Sequence, residues 1–360
     1  MLRLEKLSEQ RKLSLDFYPY TYVRTVVMRS LLFKKEDYQK MLKMSFNEIA
    51  KLLQESHYKN DINELANQYS GADLLELALN RNLAGSFKKL MRISSEELGI
   101  LIKEYAKRKD IDDIKAILRG KFTNADEKSI ESSVTGAGTL SHDFLRSLLK
   151  KESIEEILKN IKMIDFLLFK EGLKNLHEDK SLIGIENALD KYYYSSLLKF
   201  SEMLPKEGAL FKNFLLKEVE ILNTLTLLRL KKANFSKEIV KNFIILSGDK
   251  QKDQKIINLA NAKDINELSK AFDKTSYKNI IAKGMEEFNK SSSLIELETE
   301  LYKHLLRQSI LFMHQYPLSI DVILGYMFAK EMEVRNLRII IKGKQLGLSE
   351  QFIESQLIFE

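Results

Sequence analysis

Two short patterns recur three times in this chain at nearly constant spacing, and that repetition restricts the fold more than any other feature. One is a twelve-residue string. It reads Asp110-x-x-Asp113-x-x-x-Ile117-Leu118-Arg119-x-Lys121, then Glu220-x-x-Asn223-x-x-x-Leu227-Leu228-Arg229-x-Lys231, then Glu333-x-x-Asn336-x-x-x-Ile340-Ile341-Lys342-x-Lys344. The starts lie 110 and 113 residues apart. The other is a Glu-x-x-Leu marker at Glu76/Leu79, Glu186/Leu189 and Glu298/Leu301, which precedes the strings by 34, 34 and 35 residues. Solenoids repeat at much shorter periods, so the unit here is a small domain rather than a helical hairpin.

The strings read as helices. At 100° per residue, offsets 0, 3, 7 and 11 fall in one stripe, which in the last copy is Glu333, Asn336, Ile340 and Lys344. An apolar stripe of Val334, Leu337 and Ile341 runs beside it. Polar residues on such a border have two readings. They satisfy neighbouring helix ends within the repeat, or they line a surface shared with a partner. Offset 9, about 180° from the start, places Arg119, Arg229 and Lys342 on the outer side.

Closing each unit on its string gives 1–122, 123–232 and 233–360, the last ending in a closing helix. Start signals agree: Ser94 with Glu97 ahead of a helix to Tyr105, Ser141 before Phe144, Ser236, and Ser349 after Gly347. Helix Val23–Leu32 is expected to precede the first unit as each string precedes the next, which would close the chain on itself. Thr123–Thr139, with Gly136-Ala137-Gly138, reads as a mobile loop, and Lys250–Lys255 as a polar turn.

With 3 Pro and 14 Gly in 360 residues, helix breakers are scarce, and period-2 alternation is hard to find. The expected class is all-α. At 44% hydrophobic and 30% charged the chain can bury a core and is not disordered. It has no Cys, hence no disulfides and no thiolate site. No apolar run is long enough to cross a bilayer, and residues 1–6 do not read as a signal peptide. The charge of +7, from 58 basic against 51 acidic residues, is mild. It fits a solvated surface, or attraction to an acidic partner or anionic lipid headgroups.

Catalytic constellations are missing. Gly343-Lys344 lacks the rest of a phosphate-binding loop, and Gly136-Ala137-Gly138 lacks the third glycine of a dinucleotide fingerprint. His304 and His314, ten residues apart, have no H-E-x-x-H around them. No metal or cofactor is expected. Tyr192-Tyr193-Tyr194 reads as a packing contact, since no basic stripe accompanies it as nucleic-acid stacking would require.

The run Pro317-Leu318-Ser319-Ile320 … Gly325-Tyr326 … Lys330-Glu331-Met332-Glu333-Val334-Arg335-Asn336-Leu337-Arg338-Ile339-Ile340-Ile341-Lys342-Gly343-Lys344 resembles the C subunit of archaeal-type and V-type rotary ATPases. That family includes the d subunit of vacuolar ATPases. Tyr20-x-Tyr22-Val23-Arg24 and Tyr105 … Asp110 … Ile117-Leu118-Arg119-x-Lys121 are similar to it as well. Asp113, where the family often has Asn, and Asn223-Thr224-Leu225 depart from the pattern.

The resemblance implies three helical domains arranged pseudo-threefold as a funnel or socket. It implies a non-catalytic rotor part on the cytoplasmic face, with the proteolipid ring and the shaft subunits D and F as partners and no nucleic acid. Candidate contact residues are Arg119, Lys121, Arg229, Lys231, Glu333, Asn336, Arg338, Lys342 and Lys344. A helical scaffold for peptide or RNA, unrelated to ATPases, is the alternative.

Overall fold

Helix dominates, for the reason the composition gives: long stretches of Leu, Lys, Glu and Ile run uninterrupted by Pro. The computed structural model describes residues 18–204, 208–315 and 320–359, without the side chains of 179 and 312–315. Residues 1–6, Pro317, Leu318, Ser319, Glu360 and the side chain of His314 lie outside the described residues. Among the described residues there are helices and no strands, and no helix is long and apolar enough to cross a membrane.

Six helices exceed the rest in length: α1 (Gly71–Ile93), α2 (Glu96–Phe122), α3 (Ile183–Glu202), α4 (Ala209–Lys232), α5 (Ile295–Gln315) and α6 (Ile320–Gln345). The markers sit on α1, α3 and α5, and the strings on α2, α4 and α6. Each long helix packs on the next in chain order, and α6 packs back on α1. The six therefore form a closed circuit. Shorter helices surround them and share one continuous apolar core.

Each string ends alike. Fourteen residues past its start stands a residue of positive φ: Asn124 (52°), Asn234 (57°) and Gly347 (67°). Asn and Gly tolerate this left-handed turn best. The next residue's N–H, on Ala125, Phe235 or Leu348, bonds back to the carbonyl of Gly120, Leu230 or Gly343 at 2.9–3.0 Å. A capped short helix follows each time: Glu127–Ser133 behind Asp126, Lys237–Phe243 behind Ser236, and Glu350–Ser355 behind Ser349. The first packs on His142–Leu149 and the second on Lys250–Ala260, whereas the third packs on Lys35–Lys43 near the chain's beginning.

The C-terminal helix thus closes the circuit. The expectation that an N-terminal helix would do so is corrected. That helix, Pro19–Ser30, is followed by no left-handed turn, and it lies instead along α6 and α1. Ser95, not Ser94, caps α2, because Ser94 Oγ donates to the Leu90 carbonyl, and α2 runs on past Tyr105 to Phe122. Lys250–Lys255 is the start of a helix capped by Asp249. Val134–Gly138 is largely buried rather than a surface loop, because two acids of the first string pin it.

Candidate functional site

The strings' polar residues face inward, and the second residue of each does one job. Asn223 Nδ2 donates to the Ile245 carbonyl at 2.8 Å, and Ile245 N–H donates to Asn223 Oδ1 at 2.9 Å. Asn336 does the same with Ile358, at 2.6 and 2.8 Å. Both partners lie 22 residues downstream. In the first string Asp113 stands in this place and accepts from Thr135 N–H at 2.7 Å and Gly136 N–H at 2.8 Å. A carboxylate there is less at ease than an amide. Burial pushes its pKa up to about 6, although those N–H groups pull the other way. Asp110 accepts from Thr139 N–H and Leu140 N–H, each at 2.8 Å. A Cβ on Gly138 would come within 2.0 Å of Asp110 Oδ1, so only glycine fits.

The string starts differ sharply. Glu220 is exposed and pairs with Lys217. Glu333 is buried and accepts from Phe33 N–H, Tyr58 Oη and Lys330 Nζ, each at 2.7 Å. His57 Nε2 lies 3.1 Å from Glu333 Oε1 and 3.1 Å from Lys330 Nζ. Burial opposes the Glu333 charge, but Lys330 and His57 outweigh it and hold its pKa down to about 2.

The outer basic residues meet the markers. Arg119 Nε and Nη2 donate to both oxygens of Glu186 at 2.6 and 2.8 Å. Arg229 holds Glu298 in the same two-point manner at 2.7 Å. Lys342 Nζ lies 3.0 Å from Glu76 Oε1. These ties cross α2 to α3, α4 to α5 and α6 to α1, one at every other joint of the circuit. The three basic side chains remain 62%, 55% and 54% exposed.

The remaining candidates divide. Arg338 Nη2 donates to Asn80 Oδ1 at 2.6 Å, and Lys344 Nζ donates to the Leu42 carbonyl. Lys231 is buried, which lowers its pKa. Among the described residues neither Lys121 nor Lys231 has a side-chain hydrogen bond or ion pair, and Lys121 is only partly covered.

Two residues before each string start, α2, α4 and α6 converge. Arg108 is 2.7 Å from Glu218 and 3.5 Å from Glu331, and all three are largely buried. Phe214 packs edge-on to Phe328 at 5.8 Å, with Tyr105 at 6.4 Å from Phe214. The middle of the circuit is filled at this level, so an opening wide enough for a pair of helices, roughly 20 Å, is not present here. Sequence reasoning missed this triad. Its three positions align across the strings but carry Arg, Glu and Glu, so repetition hides them.

Tyr193 and Tyr194 are buried, and Tyr193 Oη donates to the Tyr105 carbonyl, in keeping with a packing role. His304 packs edge-on to Tyr277. Among the described residues no group of three or more His, Asp or Glu is placed to hold a metal ion.

Comparison with known proteins meets this geometry over nearly the whole chain. The family described as the ATP synthase (C/AC39) subunit matches residues 22–356. The chain belongs to this family. The match takes in nearly the complete circuit, from within Pro19–Ser30 to the closing helix. The C subunit of the A-type ATP synthase of Methanosarcina acetivorans is 39% identical over 355 residues, covering 98% of this chain and 95% of the relative. The protein of that name from Methanococcoides burtonii is 39% identical over 345 residues, 95% of this chain and 94% of its own. That of Haloferax volcanii is 30% identical over 343 residues, 94% of this chain and 97% of its own. Family membership removes the unrelated scaffold as a competing reading.

Proposed function

We propose that this chain is the central-stalk part of an A/V-type rotary ATPase, seated between the membrane proteolipid ring and the shaft subunits D and F on the cytoplasmic face. It carries rotation between them and does no chemistry of its own. The observation that supports this best is the closed circuit of six long helices with a like-placed ionic tie at every other joint. Such a body transmits force without a moving site. The names of the relatives add that the parent assembly is an A-type ATP synthase.

The circuit also supports division into units 1–122, 123–232 and 233–360 around a pseudo-threefold axis through Arg108, Glu218 and Glu331. The shaft then seats on one end of the helical body rather than running through it. Of the contact candidates, Lys121 and the half-exposed Arg119, Arg229 and Lys342 are the ones a partner can reach, and they cluster where α2, α4 and α6 end. Glu333, Asn336, Arg338 and Lys344 hold the body together, and Lys231 is buried within it.

The test is purification of the native complex through a tag on this chain. The membrane ring and shaft subunits are expected to co-purify, and imaging is expected to place the tag between them. Recovery of the chain with the catalytic subunits but without the ring would refute the proposal.

A further inference from the structure

Helix Pro19–Ser30 is inverted relative to an ordinary surface helix. It turns Thr21, Thr25 and Met28 toward the body and leaves Tyr20, Val23, Val27 and Leu31 at 63%, 55%, 54% and 54% exposure. Those four stand at i, i+3, i+7 and i+11, so they form one continuous apolar stripe, with Val26 exposed beside it. The helix packs along α6 and α1, and Thr21 Oγ1 donates to the Ile93 carbonyl at 2.9 Å.

The charge around the stripe is basic. Residues 18–44 hold six Lys or Arg against two acids. Arg24 and Lys34 are exposed, and Arg24, Arg29 and Lys34 are in no ion pair among the described residues. Among the described residues no other exposed apolar group forms a four-residue stripe along one helix; Leu346, Leu348 and Phe352 adjoin Glu350 as well as Lys344, and Leu167 and Leu168 adjoin Asp165 as well as Lys170. Apolar side chains on a helix flanked by unpaired cations suit the boundary of a membrane with anionic headgroups.

We infer that the outer face of Pro19–Ser30 is a membrane-surface contact that takes anionic lipid. The inference rests on the reading of the chain as a membrane-associated rotor part only in expecting a membrane nearby. It concerns a different surface from the tied ends of α2, α4 and α6.

The experiment is co-sedimentation of the purified full chain with vesicles of phosphatidylglycerol and phosphatidylcholine in equal parts, against phosphatidylcholine alone. Binding is expected only to the anionic vesicles, and to weaken as salt rises. Val23→Asp with Val27→Asp should abolish it. Arg24→Gln, Arg29→Gln and Lys34→Gln together should weaken it about a hundredfold, at roughly fivefold per charge. Circular dichroism melts of both variants check that they fold. As the chain has no cysteine, Val27→Cys carries a polarity-sensitive dye cleanly. A blue shift on anionic vesicles supports the inference. Equal binding to neutral vesicles overturns it. So does a dye shielded in the native complex yet unmoved by vesicles, which would make the stripe a protein contact. Neither outcome touches co-purification with the ring.

Discussion

The joint between α2 and α3 and the joint between α6 and α1 occupy the same place in the circuit but are built differently. The first lies between segments that one stretch of chain connects, through residues 123–182. It carries the half-exposed Arg119–Glu186 pair at the rim, with the less exposed Lys115–Asp190 pair and the Tyr193 Oη bond to the Tyr105 carbonyl further in. The second joins the two ends of the chain and has no covalent link. There the rim pair is a single Lys342–Glu76 contact, and the strength moves inward. Glu333 gathers Phe33, His57 and Tyr58 from about 300 residues away in sequence, Arg338 reaches Asn80, and Lys344 reaches Leu42. Tyr38 stacks on Phe359 at 5.9 Å. Where the backbone holds a joint, pairs that keep some contact with solvent and one buried hydrogen bond accompany the packing. Where it does not, a buried polar cluster takes their place.

That contrast breaks most easily at the buried cluster. Glu333→Ala strands Lys330, whose side chain is 1% exposed. Removing one partner of a buried pair costs about 3–5 kcal/mol. Urea unfolding of Glu333→Ala should show that loss, and the double variant Glu333→Gln, Lys330→Met should recover much of it. If Glu333→Ala costs no more than Arg119→Ala, the closing joint is not specially reinforced.

Acidity separates the joints next. Glu333, held down to about 2 from an ordinary 4.5, contributes stability that is full above about pH 4.5 and is lost as pH falls toward 2. Asp113 has the opposite sign. Its pKa is raised from 3.8 to about 6, so the folded state holds the proton more tightly and stability falls as pH rises from about 4 to 6. The drop is up to about 3 kcal/mol. Asp113→Asn, which installs the residue found at the other two strings, should flatten this slope in urea titrations across that range. A slope that persists in the variant assigns it to another group.

The smallest effects belong to the rim. Arg119→Ala and Arg229→Ala should each cost under about 1 kcal/mol, since both pairs are half-exposed. Reversing Arg119, Arg229 and Lys342 to Glu places like charges together at three joints, so the melting temperature should fall by a few degrees. An unchanged melting temperature would mean the ties contribute nothing to the isolated chain.

Much of this architecture was legible. The strings and markers announced equivalent helices, and Ser141, Ser236 and Ser349 marked helix starts correctly. What stayed hidden depends on contacts between distant segments. Glu220 and Glu333 are indistinguishable on a helical wheel, yet one is solvated and the other buried, because residues 33–58 cover only the second. Gly136 and Gly138 suggested mobility, since nothing local shows that Asp110 and Asp113 seize that backbone. Marker Glu and string Arg or Lys carried opposite charge at a shared period. That was a readable sign of pairing, but constant spacing alone does not reveal that each Glu binds the previous unit's string.

The closed circuit has a consequence best stated in the language of beams. A tube slit along its length twists far more easily than an intact one, although the two contain nearly the same material. The α6–α1 joint is where this molecule's slit would be, and the Glu333 cluster is its weld. A variant that loosens only that weld would keep its helices and most of its core while surrendering rigidity in twist.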